Sequence, residues 1–345
     1  MTSRRSPFST APMKRLLCLG MLLALPATAQ VLVSEFIADK PPTISSHAST
    51  LGTASGKLLA SWFGGSRERA RDCVIWLSQH DGAKWSEPVE VAAGNEDSRD
   101  PWACWNPVLF QKKGANELYL FYKVGPSPST WWGRYKISRD GGQTWSKSRR
   151  LPGRAIGPVR NKPIELPDGT ILCGASTEDS GWRVHMEWCK TPEGPWTVGE
   201  PLNSAMEWGA IQPTLLLWPD RGLQILCRSK QQVILASWCD GDLRRWSNLR
   251  RSSLPNPNSA IDAVMLADGR GLLVYNPGTE NRHQLAVAIS KTGIDWEPVL
   301  MLENDSKGEY SYPAVIQDAS GTVHVSYTWR REKIKHVAID PTRLK

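Results

Sequence analysis

A chain of 345 residues, 40% apolar and 22% charged, is long enough to bury a full core and does not have the composition of a disordered or low-complexity protein. Its formal charge of +8 halves once the basic residues of the extreme N-terminus, Arg4, Arg5, Lys14 and Arg15, are set aside. The remaining lysines and arginines are scattered without basic runs, so nucleic acid is not an expected partner.

Residues 1–29 read as an export signal, with those four charges ahead of an apolar run from Leu16 to Leu25 and an A-x-A cleavage site at Ala27-Thr28-Ala29. That run is about half the roughly 20 residues needed to cross a bilayer. No later stretch is longer, so no membrane span is expected, and the product is placed in a periplasm or outside the cell. Residues 30–345 read as one domain. Six cysteines remain in it (Cys73, Cys104, Cys173, Cys189, Cys227 and Cys239). Export would let some of them pair, but a chain of this size does not need disulfides to fold, and they read mostly as buried structural thiols. Without a C-x-x-C pair, a histidine cluster or a phosphate loop, no metal or other cofactor is expected.

Beyond the leader the chain is a repeat. Tryptophans end comparable segments at Trp85, Trp145, Trp196, Trp246 and Trp296, separated by 60, 51, 50 and 50 residues. The clearest copy, Ser138-Arg139-Asp140-Gly141-Gly142-Gln143-Thr144-Trp145, is a full S-x-D-x-G-x-T-W box. Ser78 to Trp85 and Ser290 to Trp296 are degraded copies. Asp and Ser side chains satisfy turn amides, glycine takes positive φ, and the tryptophan packs between units, so the box is structural. A second series of turns, each followed by an apolar strand, runs out of phase at Ser55-Gly56, Gly114, Asp168-Gly169, Arg221-Gly222, Asp268-Gly269 and Ser320-Gly321. Six such turns against five tryptophan hairpins predict an all-β, six-bladed propeller whose last blade is completed by a strand near Val31 to Phe36.

Just upstream of each of these turns lies an innermost strand that opens with a polar residue before Pro or Ala. These are His47-Ala48, Asn106-Pro107, Lys162-Pro163, Gln212-Pro213, Asp262-Ala263 and Tyr312-Pro313. The alignment predicts a ring of six polar side chains at one mouth of the axis. Strand parity puts the connections at about 62–71, 123–132, 175–182, 228–232, 276–282 and 329–332 on that same side, and the tryptophan boxes on the other. These connections carry Arg67, Glu68, Lys123, Trp131, Trp132, Glu178, Trp182, Arg228, Lys230, Arg282, Arg330 and Arg331. Guanidiniums that bind carboxylates and flat indole faces suit an acidic sugar.

The box at Ser138 to Trp145, the segment Asn276-Pro277 to Leu285 and Tyr310-Ser311-Tyr312 together resemble the sialidase family. That family's six-bladed propellers hold a substrate carboxylate with three arginines, attack with a tyrosine paired to a glutamate, and use a carboxylic acid as proton donor. The resemblance implies Arg228 and Arg282 as the second and third arginines and Tyr312 as the nucleophile, with Tyr310 as its alternative. Glu68 or Asp72 stands where the proton donor falls. Two positions depart from the pattern. Ser46-His47 replaces the first arginine, and Gln212 stands at or beside the expected glutamate, for which Glu207 or Asp262 is the substitute. The function implied is an exo-acting glycoside hydrolase on an acidic or decorated glycan, with His47 a further catalytic candidate and Arg67, Lys162, Gln212, Asn106 and Asp262 lining the substrate site. Two other functions fit the same residues. One is a polysaccharide lyase in which arginines neutralise a uronate and His47 or Tyr312 removes its α-proton. The other is a carbohydrate-binding propeller without catalysis.

Overall fold

In the box at Ser138 to Trp145, Asp140 accepts from the backbone N–H groups of Gln143 and Thr144 at 3.0 and 2.9 Å, and the Ser138 hydroxyl accepts from Gly142 at 2.8 Å. Gly141 and Gly142 take φ of 74° and 93°, which lets the chain reverse without steric cost. A bond from the Thr144 hydroxyl, followed by the turn amides, holds the Asp140 carboxyl well below the usual carboxylate range. Trp145 then packs onto a cluster that mixes Leu59 and Leu77 of one blade with Leu118 and Leu120 of the next. Each box thus closes one blade and joins it to its neighbour.

A computed structural model describes residues 30–95 and 101–345. The expected export signal at 1–29 lies outside the described residues. The described chain forms six four-stranded antiparallel sheets in a ring, a six-bladed propeller with a single short 3-10 turn at Pro341–Arg343. The innermost strands are Ser45–Ala54, Cys104–Gln111, Ile164–Glu165, Ala210–Trp218, Asp262–Met265 and Tyr310–Gln317 for blades 1 to 6. Val31–Phe36 pairs antiparallel with Lys333–Ile339, so the N-terminal strand is the outermost strand of blade 6, as the count of hairpins predicts. Joining the two ends of the chain in one sheet leaves the ring no open seam.

Apolar side chains alternate into the layers between blades, for example Val325, Val337 and Ile339 of blade 6 against Leu285 and Val287 of blade 5. All six cysteines of the described residues are free and buried. Burial pushes the Cys73 and Cys189 thiols up to about 11 and about 12, so they behave as small apolar residues. No helix among the described residues is long and apolar enough to cross a membrane.

Candidate active site

Proline on an innermost strand shapes the mouth. Proline has no N–H for the ladder, so within a sheet it is found at bulges or edges. The register with the second strand slips between Trp105 and Val108, Ile211 and Thr214, and Ser311 and Ala314, bracketing Pro107, Pro213 and Pro313. The residue before each proline lies in the left-handed region, with φ of 40° at Asn106, 56° at Gln212 and 54° at Tyr312. Blade 1 has the same bulge between His47 and Thr50, with Ala48 at φ 54°. Left-handed backbone at a residue other than glycine costs of order 1–3 kcal/mol and persists where the surroundings impose it. At Gln212 and Tyr312 it accompanies side chains that meet Arg228.

Tyr312 is the centre of the group. Arg228 donates through Nη1 to the Tyr312 hydroxyl at 2.9 Å and to Gln212 Oε1 at 3.2 Å. Its Nε reaches Asn258 Oδ1 at 3.0 Å and its Nη2 the Asn258 carbonyl at 2.6 Å. Arg282 donates to that same carbonyl at 3.1 Å, so Asn258, itself left-handed at φ 56°, spaces the two guanidiniums. Arg160 lies 5.5 Å above the Tyr312 ring, where its Nη2 donates to the carbonyls of Tyr312 and Pro313 at 2.6 and 2.7 Å. Arg228 and Arg282 lie 5.7 and 5.8 Å from the same ring. Burial alone would raise the phenol's pKa. The charges of Arg228 and Arg282, with a further contribution from Arg331, overcome it and bring the hydroxyl below its ordinary value.

Arg331, from the last turn of blade 6, donates to Glu68 of blade 1 at 2.6 Å and to Glu309 at 3.1 Å. Glu309 also lies 3.5 Å from Arg282. His47 is 1% exposed and tilts against Tyr312 with ring centroids 4.2 Å apart. Its Nδ1 meets the Thr328 hydroxyl at 2.9 Å, and its Nε2 is buried without a partner. Burial, then the charges of Arg331, Arg282, Arg160 and Arg228, keep this imidazole neutral well below the usual histidine pKa. Proton transfer to His47 is opposed by its burial and by these four arginines.

The ring of six expected from the sequence is not one level. Counted from the hairpin pairs Ile164 with Leu172, Leu216 with Gln224 and Val264 with Leu272, Lys162 and Asp262 stand level with Thr214, two residues deeper than Gln212 and Tyr312. They form an axial plug. Lys162 Nζ donates to Asp262 at 2.9 Å and to the Ala263 carbonyl at 2.8 Å, and Asp262 also accepts from Thr214 Oγ1 at 2.8 Å and from the Val315 amide at 2.9 Å. The residue level with Tyr312 in blade 3 is Arg160, and in blade 5 it is Ala260. The misalignment comes from anchoring on Pro163 and Ala263. Counting back from Asp168-Gly169 selects Arg160.

Other expected residues fall elsewhere. Asn106 donates to the Val159 carbonyl at 3.1 Å, bonding blade 2 to the approach to blade 3. Tyr310 is buried among Leu285 and Val287, with its hydroxyl on Asp305 at 3.3 Å, and does not join Tyr312. Asp72 accepts from the Ser66 amide and hydroxyl, both at 3.0 Å, and shapes its own loop. Arg67 is exposed on that loop, and its carbonyl accepts from Ala70 at 3.1 Å. Asn258 and Glu309 carry no motif and were not legible in the sequence. Among the described residues, no group of three or more His, Cys, Asp and Glu side chains is arranged to hold a metal ion.

A six-bladed ring with tryptophan boxes on one side and a tyrosine among arginines on the other defines the class, a sialidase-like propeller. Residues 56–325 match the model of the BNR repeat-like domain, and the chain belongs to that family. Solved structures agree on the fold. A Hadza microbial sialidase superposes with a TM-score of 0.74 at 16% identity, over 88% of this chain and 67% of that one. A variant of the NanB sialidase of Streptococcus pneumoniae gives 0.73 at 12% identity, over 93% and 72%. A protein of unknown function from Dyadobacter fermentans gives 0.74 at 13%, over 89% and 98%. No curated protein matches the chain by sequence.

Proposed function

We propose that this protein is an exported, retaining glycoside hydrolase that removes a terminal acidic sugar from a glycan, with Tyr312 as the nucleophile. The observation that carries the reading is the Tyr312 hydroxyl held at 2.9 Å by Arg228 under a cluster of guanidiniums. A phenol near pKa 10 is a poor nucleophile at neutral pH unless a base or a cationic field stabilises its anion. With Gln212 at the position where the family's glutamate falls, the field is the activating device.

Arg282 and Arg331 face the mouth and bind the sugar's carboxylate. Arg228 contributes mainly to Tyr312, because one N–H alone is left after its bonds to Asn258, Gln212 and Tyr312. The phenolate attacks the anomeric carbon, and water later releases the sugar with its configuration retained, the tyrosine variant of double displacement. A proton donor is also needed. Glu68 is bonded to Arg331 and Asp72 to Ser66, so neither carboxyl is free to give a proton without losing those partners.

The test is Tyr312→Phe, assayed on 4-nitrophenyl α-glycosides of N-acetylneuraminic acid and of glucuronic acid, with mass detection of products. The expected result is a loss of turnover of about 10⁴-fold or more with an unchanged melting temperature. Turnover that survives the substitution removes Tyr312 from the chemistry. A disaccharide with a 4-linked glucuronate is assayed alongside, and an unsaturated uronate product from it, seen by its ultraviolet absorbance, would assign the same phenolate to lyase chemistry. Ligand binding with no turnover at all would leave a binding propeller.

A further inference from the structure

We propose that Arg160 is the positioning residue of Tyr312, reaching across the axis from blade 3 to fix the backbone from which the tyrosine projects. The inference rests on the hydrolase reading of Tyr312 for its role in turnover.

Arg160 lies in an irregular segment, residues 155–163, that leads into the short innermost strand Ile164–Glu165. The Val159 amide reaches the Gly174 carbonyl at 3.3 Å, and buried side chains of blades 2 and 3 do most of the rest. Glu187, fully buried, accepts from the amides of Ile156 at 3.1 Å and Gly157 at 2.8 Å. Lys123, also fully buried, donates to the Pro158 carbonyl at 2.7 Å, and Asn106 donates to the Val159 carbonyl at 3.1 Å. Two opposite charges are thus placed on successive peptide groups of one segment. Burying a charge is costly unless hydrogen bonds compensate it, so the path of residues 156–161 is closely specified.

That path delivers two side chains to two bulges. Asn161 donates to the Gln212 carbonyl in blade 4 at 3.1 Å. Arg160, 1% exposed, donates through Nη2 to the carbonyls of both Tyr312 and Pro313 in blade 6, at 2.6 and 2.7 Å. The register of blade 6 slips between Ser311 and Ala314, where Tyr312 takes its φ of 54°. One nitrogen bonded to two successive carbonyls fixes their relative direction, and with it the direction in which the Tyr312 side chain leaves the strand. Blade 4 has the same slip and the same left-handed residue before proline, and its carbonyl is held by a neutral amide. Such a bulge therefore does not require a guanidinium. The buried cation is used at the bulge that carries the tyrosine, 5.5 Å from its ring, where the hydroxyl must meet Arg228 at 2.9 Å.

The experiment compares the native chain with Arg160→Lys, Lys123→Met and the double variant on the two 4-nitrophenyl glycosides. Lysine keeps the charge but is one bond shorter, so it does not span both carbonyls. The expected result for Arg160→Lys is a fall in kcat of about 10–100-fold with KM within about threefold of the native value, the mark of a misplaced reacting group. Lys123→Met releases the Pro158 carbonyl and is expected to lower kcat about tenfold, yet to add nothing in the Arg160→Lys background, because both act through the same backbone. Additive losses, an unchanged kcat, or a loss confined to KM overturn the proposal. The phenolate absorbance of Tyr312, taken as the difference from Tyr312→Phe, needs no turnover. In Arg160→Lys its titration midpoint is expected to rise by about one unit, tenfold less phenolate at a given pH, as the hydroxyl leaves Arg228. An unmoved midpoint overturns the positioning role whatever the kinetics. If Arg160→Lys does not fold, the same readouts on Lys123→Met decide. If the native chain cleaves neither glycoside, the hydrolase reading fails, and the titration alone decides whether Arg160 positions Tyr312.

Discussion

Two clusters of charged side chains lie at two depths of the ring, and they differ in how their valences close. At the deeper level Lys162 and Asp262 neutralise each other, and Thr214, Ala263 and Val315 take the remaining bonds of the pair. At the level of the mouth four guanidiniums, Arg160, Arg228, Arg282 and Arg331, face the two carboxylates of Glu68 and Glu309, and His47 Nε2 has no partner at all. A satisfied network bonds the blades together across the axis. An unsatisfied one, with positive charge in excess beside an ionisable phenol, holds binding energy for a molecule that the protein itself does not supply.

The contrast can be broken from the deeper side first. Asp262→Ala leaves Lys162 charged, largely buried and unpaired, and it frees the Thr214 and Val315 donors. The expected cost is about 3–5 kcal/mol of stability, measured by urea unfolding. A variant as stable as the native chain would show that the plug does not bond the blades.

At the mouth, Arg228→Gln removes a positive charge from beside Tyr312 and so raises the phenol's pKa. A rise of one unit corresponds to about tenfold less phenolate at neutral pH. Turnover is expected to fall by about that factor at pH 7 and to recover as the pH rises, with the phenolate absorbance of Tyr312 moving the same way. A uniform loss at every pH would mean that Arg228 binds substrate and does not tune the tyrosine.

The smallest effect is in acid. His47 is held neutral in the folded chain at pH values where the unfolded chain binds a proton. Stability is therefore constant above the unfolded histidine pKa of about 6.5 and declines as the pH falls from there towards the lower folded value. His47→Asn cannot titrate, so its stability is expected to fall less steeply with acid below about pH 6.5. The same slope in both proteins would assign the acid sensitivity to other groups.

Periodicity made the scaffold legible. The turns and tryptophan hairpins are local chemistry that survives in a single chain, and the surplus of one turn over the hairpins already implied closure by Val31–Phe36. Parity, a property of antiparallel strands, placed the arginine-bearing loops opposite the boxes. Tyr312, Arg228 and Arg282 could be named in this way, and the structure brings them together. The positions that were misread are those where depth along a strand matters. Pro163 and Ala263 resemble Pro213 in sequence, yet the innermost pairings of blades 3 and 5 run without a register shift, so Lys162 and Asp262 belong to the plug and Arg160 to the mouth. Asn258 and Glu309 acquire their roles purely from proximity across blades, which no spacing records.

By itself the sequence determined the number of blades, the ring closure and the side on which the charged loops emerge, because these follow from hydrogen bonds between near neighbours in the chain. The tertiary structure alone decided which charges cancel and which remain open. That outcome depends on distances of a few ångströms between residues such as Arg331 and Glu68, 263 positions apart, which only the packing of blade 6 against blade 1 brings together.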